Sequence, residues 1–381
     1  MPRWIRPASL RLPNTERERH ASWLEIFFDL IFAVIVTQIA SRIETNLTLT
    51  GILQCSVLFF PVLWTWICYT VFAARFDNDD AIHWLLTFCI MLAGIIMAIH
   101  IPIALERGAF GFTLGFFLGQ VATLLLYFRA LHDSSISKNL ILFYLIGFGC
   151  AGLCWGIALF FSPPHIFIFW ILGMLIYLIV PWIGRKNILS KAPLDSFYIP
   201  DRFGSFTVII LGQAIASVIF GLEYTHWNSP TVATGLMAFI ITLLIWGQYY
   251  RLNVIVNFKC NLSSGQPFIY AHIPLIMSLI LMVVCMDDYI KSPLITHENV
   301  NMVFGFATIL YITSFYLLQY AVIHRIQIRE ILLVSGILAI IITLLLQLFA
   351  PWITMLGYLI VFGLLFIVQY FVGCKRALES L

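Results

Sequence analysis

Apolar runs of roughly 20 residues recur along nearly the whole chain, the length that one helix needs to cross a bilayer. They fall near residues 23–43, 50–73, 82–105, 109–131, 139–161, 164–184, 203–222, 231–251, 268–290, 298–323, 329–349 and 351–373. The breaks between them carry Pro, Gly, Asn and charged residues, as turns do. Two breaks are very tight, at Ser162-Pro163-Pro164 and at Ala350-Pro351. The pattern predicts an all-α fold, a polytopic transmembrane helix bundle of about twelve spans.

Composition strengthens that expectation. Of 381 residues, 61% are hydrophobic and 10% charged, against about 25% charged in soluble domains. No soluble fold of this size hides so much apolar surface. Charge placement then sets the orientation. With the N-terminus in the cytoplasm, 18 of the 21 Lys and Arg residues fall on the inside, and only Arg42, Arg107 and Lys291 outside, as the positive-inside bias requires. Both ends are therefore expected to be cytosolic. Five arginines and no apolar run among the first 20 residues read as a cytosolic tail, not a cleaved leader. A net charge of +3 offers nothing to nucleic acid. The eight cysteines lie mostly in apolar runs without a C-x-x-C pair and read as small buried hydrophobes.

The two halves resemble each other. Trp66, Tyr69 and Arg75 close the second span, and Trp246, Tyr249 and Arg251 close the eighth. His83 and His272 open the third and ninth. The offset of about 180–190 residues suggests a parallel six-plus-six repeat about an axis along the membrane normal. The domain division that follows is a basic tail (1–21), a first six-helix repeat (22–191), a second (192–374) and a C-terminal tail (375–381). Chance similarity between apolar helices is the competing explanation.

Ionisable groups inside spans are costly and often functional. Glu25 has a structural explanation: Ser22-Trp23-Leu24-Glu25 is a capping box. Asp29, one turn further along the same face, lies beyond the reach of that cap. It needs a cationic, polar or water-filled neighbour, and Arg75 is a natural partner for it or for Asp77. The loop Arg75-Phe76-Asp77-Asn78-Asp79-Asp80 lacks the glycine and closing glutamate of an EF-hand. Its Asn78–Asp80 stretch suits a helix cap, so whether it holds a metal stays open. Asp201, Arg202 and Gln213 open the seventh span, Arg251 closes the eighth, and His272 lies in the ninth. His272 is either a hydrogen-bonded core residue or a proton site. If the repeats face each other, Glu25, Asp29, Arg75, Asp77, Asp201, Arg202, Gln213, Arg251 and His272 converge on one cytosol-facing polar cavity. Gly111, Gly115 and Gly119 follow at a spacing of four, a close-packing stripe.

No Walker A loop, G-x-G-x-x-G, G-x-S-x-G or H-E-x-x-H motif is present, so ATP-driven work in cis has no support. The stretch His20-Ala21-Ser22-Trp23-Leu24-Glu25-Ile26-Phe27-Phe28-Asp29-Leu30 resembles the opening signature of the bacterial low temperature requirement A family. Arg75–Asp80, Arg202-Phe203-Gly204 and His272-Ile273-Pro274-Leu275 resemble its further motifs, in order across nearly the whole chain. Where that family carries Leu-Gly-Glu, this chain has Leu211-Gly212-Gln213, and so lacks a second intramembrane carboxylate there. The resemblance implies a multi-pass protein of the bacterial inner membrane. A shorter likeness joins Phe27-Phe28-Asp29-Leu30-Ile31-Phe32-Ala33 and Thr37 to the first-helix motif F-S-D-x-x-F-A-x-x-x-T of the endolysosomal and bacterial potassium channels, with Phe28 in place of the serine.

The function expected is a channel or secondary transporter for an ion or small solute. The rival readings are an integral-membrane lipid-modifying enzyme and a membrane sensor or scaffold. No cofactor is expected. The partners expected are membrane lipids and the solute or ion, with self-association into a homo-oligomer admitted.

Overall fold

A computed structural model describes residues 9–10, 21–77, 80–132, 135–191, 194–195, 197–259, 265–292, 298–322, 326–349, 357, 359–365 and 367. Its elements are helical apart from one two-residue antiparallel pairing, Ser9–Leu10 with Phe76–Asp77. The helices are α1 (Trp23–Glu44), α2 (Leu49–Arg75), α3 (Ala81–His100), α4 (Ala109–Arg129), α5 (Ser135–Ala158), α6 (His165–Gly184), α7 (Tyr198–Tyr224), α8 (Ser229–Lys259), α9 (Gln266–Lys291), α10 (Glu298–Val322) and α11 (Ile326–Phe349). Among the described residues, ten helices are long and apolar enough to cross a membrane. The protein is thus a polytopic membrane-type helix bundle. The apolar part of α11 is shorter, Leu333–Gln347. The expected twelfth span, 351–373, lies largely outside the described residues, with helix at 357, 359–365 and 367. Both expected cytosolic tails lie outside them too, save Ser9–Leu10 and residue 21.

One boundary departs from the expectation in a way that matters. The hydropathy pattern starts the seventh span at 203, but α7 begins at Tyr198. The Asp195 carboxylate accepts the amides of Phe197 and Tyr198 at 2.8 and 2.9 Å, satisfying donors that a helix start leaves open. Pro200 is tolerated because the first turn has no intrahelical acceptor for its missing N–H. Asp201 and Arg202 are therefore helical residues with fixed directions.

The chain divides into two compact units. The first comprises Met1–Arg42, Gln54–Arg202 and Asn261–Gln266; the second comprises Ile43–Leu53, Phe203–Cys260 and Pro267–Leu381.

In the first unit the glycine stripe packs α4 onto α3. A Cβ on Gly111 would lie 2.1 Å from the His100 ring, and one on Gly115 would lie 2.8 Å from the Ala93 carbonyl. The same logic joins α5 to α6, where Gly173 sits under the Trp155 indole and Gly184 against Phe143. Lipid gives helices no hydrophobic reason to associate, so close approach and dispersion do that work. Aromatic rings fill what remains: Trp155 stacks on Trp170 at 5.3 Å, with Phe116 and Tyr177 alongside. The Trp170 indole donates to Thr113 at 2.8 Å.

Several threonine hydroxyls in each unit bond back to their own helices. Thr65, Thr87, Thr113 and Thr123 donate to the carbonyl four residues back, as do Thr207, Thr242 and Thr308. Where no water is available this removes an otherwise costly donor.

Candidate functional site

The capping box forms as expected. The Ser22 amide donates to Glu25 Oε2 at 2.7 Å, and the Glu25 amide reaches Ser22 Oγ at 3.3 Å. This fixes the first turn of α1 and points Glu25 inward. Its other oxygen, Oε1, accepts the Tyr198 hydroxyl of α7 at 2.7 Å. One turn on, Asp29 Oδ1 accepts two donors: the Trp66 indole of α2 at 2.7 Å and Arg202 Nη2 of α7 at 2.6 Å. Arg202 Nη1 lies 3.6 Å from Glu25 Oε2. That is close enough for an ion pair and too long for a hydrogen bond. Glu25, Asp29 and Arg202 are 4%, 0% and 0% exposed.

These three residues form a buried ionic triad with two carboxylates and one guanidinium. Among the described residues, Asp29 Oδ2 has no hydrogen-bond donor, and neither Nε nor Nη1 of Arg202 has an acceptor. Phe28 stacks on Tyr69 beside the triad, with centroids 4.1 Å apart. The Tyr69 hydroxyl faces His83 Nε2 at 3.5 Å and Thr87 Oγ1 at 3.4 Å.

The described contacts of the other expected site residues are as follows. Arg75, expected beside Asp29 or Asp77, donates to the Tyr144 hydroxyl at 3.0 Å and packs over its ring; the side chain of Asp77, the alternative partner, lies outside the described residues. The cation serving Asp29 is Arg202. Asp80 at the end of the acidic loop caps α3, accepting the His83 amide at 2.8 Å, and pairs through both oxygens with Arg129. The side chains of Asp77, Asn78 and Asp79 lie outside the described residues. Asp201 is half-buried, next to Arg202 in α7.

Gln213, Arg251 and His272 belong to the second unit. There His272 is fully buried. Its Nδ1 faces the Phe268 carbonyl at 2.8 Å, and its Nε2 meets the Tyr249 hydroxyl at 2.7 Å. A carbonyl only accepts, so the ring N–H is on Nδ1 and Nε2 accepts from Tyr249. The Phe203 and Phe268 rings cover the imidazole. Deeper in this unit the Tyr311 hydroxyl donates to Gln248 at 3.2 Å. Gln213 and Arg251 are each half-buried.

Sequence reasoning missed Tyr198, and named Trp66 and Tyr249 only as repeat markers. A signal for the latter two was present. A buried indole N–H or phenol O–H in a lipid-spanning helix must find a partner, and each follows the motif carboxylate or precedes the motif histidine at a helix-to-helix distance.

Among the described residues no cluster of three or more His, Cys, Asp or Glu side chains has metal-holding geometry. What the triad offers chemically is charge: one unpartnered carboxylate oxygen and a shared guanidinium, both removed from solvent.

A bundle of long apolar helices with a motif-borne ionic triad on its first and seventh helices defines a multi-pass membrane protein. The model of the bacterial low temperature requirement A protein family matches residues 20–365, and the chain belongs to that family. It is also similar to an uncharacterized protein of Rhizobium meliloti (strain 1021), 25% identical over 303 residues, or 74% of this chain and 73% of that one.

Proposed function

We propose that this protein is a channel or secondary transporter for an ion or small solute in the bacterial inner membrane, with Asp29 as its charge-bearing residue. One observation carries the reading: the Arg202 guanidinium lies between two carboxylates in a buried site, and one oxygen of Asp29 stays open among the described residues. A purely structural ion pair is best served by balanced charge and full hydrogen bonding, because desolvation is otherwise uncompensated. Here, among the described residues, Asp29 leaves one carboxylate oxygen without a hydrogen bond. Intramembrane charges of this kind mark ion and solute pathways.

In the same reading the chain is a parallel duplication of six helices. The recurrence of a Tyr–His pair supports this: Tyr69 with His83 in the first unit and Tyr249 with His272 in the second. Each pair joins the expected second and third spans of its half.

Proteoliposomes carrying the purified full chain test the reading. Wild type is expected to pass at least one cation, anion or proton in a broad flux panel, and Asp29→Asn to lose that flux. Wild type and variant both silent across the panel would end the proposal.

A further inference from the structure

We propose that Asp29 Oδ2 is a proton-binding site, and that the proton transfers the Arg202 guanidinium from Asp29 to Glu25. The role of that proton as coupling ion rests on the transport reading above; its binding does not.

Within the triad the two carboxylates are not equivalent. Glu25 accepts a backbone amide on Oε2 and a tyrosine hydroxyl on Oε1, and it lies in the first turn of α1. Both oxygens of Glu25 are thus occupied by donors, at the positive end of a helix. Asp29 concentrates both of its donors on Oδ1 and leaves Oδ2 open. An ionised oxygen buried without a donor costs far more than a neutral hydroxyl in the same place. The open lone pair is thus where a proton adds.

The charged and titratable groups around Asp29 agree. From its own helix it faces Glu25. From α2 it faces the Trp66 indole and the Tyr69 phenol, with His83 of α3 behind the phenol. From α7 it faces Arg202, Asp201 within electrostatic range, and Tyr198 through Glu25. Among these described groups Arg202 is the one fixed cation, against the carboxylates of Glu25, Asp201 and Asp29 itself.

The step balances simply. A proton from water forms one O–H bond at Asp29 Oδ2, and no other covalent bond changes. The triad goes from one negative charge to none. The Coulombic hold of Asp29 on Arg202 falls away while that of Glu25 remains. Nη1 already lies 3.6 Å from Glu25 Oε2 and has no acceptor among the described residues. A shift of about 1 Å makes it a charge-assisted hydrogen bond. Nη2 leaves Asp29 in the same movement, and Trp66 keeps Oδ1. Because Arg202 stands in the first turns of α7, the exchange pulls on the start of that helix.

The test is infrared difference spectroscopy on the full chain in lipid vesicles, acidic minus alkaline, with carboxyl-13C aspartate. The expected result is a protonated-carboxyl band that the label shifts and that disappears in Asp29→Asn. In Asp29→Glu, which keeps charge and folding should Asn fail, the band persists but no longer responds to the label. Glu25→Gln is expected to keep the band and move its midpoint. A label-sensitive band unchanged in both Asp29 variants, or no such band at any pH, overturns the proposal. The band with no flux in vesicles removes the transport reading and keeps the proton site. Flux that Asp29→Asn abolishes, with no Asp29 band, does the opposite.

Discussion

The two units solve the same burial problem with different chemistry. Each holds a tyrosine hydroxyl against a histidine between neighbouring helices, and each covers that pair with a phenylalanine ring. In the second unit the polar interior around His272 is neutral and closed. Both ring nitrogens are engaged, and the Tyr249 contact is 2.7 Å. In the first unit the corresponding contact relaxes to 3.5 Å, and an ionic triad is added beside it. That triad leaves one carboxylate oxygen and two guanidinium nitrogens without hydrogen bonds among the described residues. A neutral pair can be fully satisfied at little cost. The ionic set is not fully satisfied among the described residues, and Asp29 Oδ2 is the carboxylate oxygen it leaves open. The units are alike in enclosure: among the described membrane-length helices, α2 and α9 are the most buried, and equally so.

The sharpest way to break this comparison is to remove its cation. Arg202→Ala removes the guanidinium that pairs with two buried carboxylates, Glu25 and Asp29. The expected loss is about 3–5 kcal/mol, read as a large fall in thermal or denaturant stability of the purified protein. A wild-type-like variant would mean that the triad is solvated.

Next in size is a packing test within the first unit. Gly115→Ala places a methyl 2.8 Å from the Ala93 carbonyl, a backbone atom that cannot swing away. We expect about 1–3 kcal/mol of destabilisation. At Gly119 the nearest atoms are 3.4 Å away, so Gly119→Ala is expected to stay within about 0.5 kcal/mol of wild type. Equal effects at the two positions would refute the close-approach account of the α3–α4 contact.

Tyr249→Phe probes the neutral unit. It removes one hydrogen bond and leaves His272 Nε2 without its donor, an expected cost of about 1–2 kcal/mol. The same unfolding measurement reads it. A cost matching that of Arg202→Ala would erase the distinction between an ionic and a neutral interior.

The smallest effect is expected at the Asp80–Arg129 pair, whose arginine is partly solvent-exposed. Arg129→Lys keeps the charge and loses the two-pronged geometry, for about 0.5 kcal/mol. The Asp80 cap on α3 remains. High salt is expected to mask this change and to leave the Arg202→Ala effect intact, because only the former faces solvent.

Much of this was legible from the chain. Hydropathy located α1 to α10 to within a few residues at most ends, because a lipid-spanning helix must be both long and apolar. The capping box at Ser22–Glu25, the Asp80 cap and the glycine stripe are local patterns with local causes. The start of α7 was not legible by hydropathy, since its first turn holds Pro200, Asp201 and Arg202, and only the Asp195 side chain closes it.

The partner of Asp29 was a different matter. Sequence required that such a carboxylate have a cationic, polar or water-filled neighbour, and Arg75 at the membrane edge was a natural candidate for it or for Asp77. That Arg202, 173 residues away, supplies it depends on which helices lie side by side, which no local pattern encodes. The same holds for Tyr198 on Glu25 and for Tyr249 on His272. The sequence by itself determined the membrane class, the spans and the need for buried partners, because these follow from the cost of polar groups in lipid. Only the tertiary structure decided who the partners are, and that two carboxylates would share one arginine.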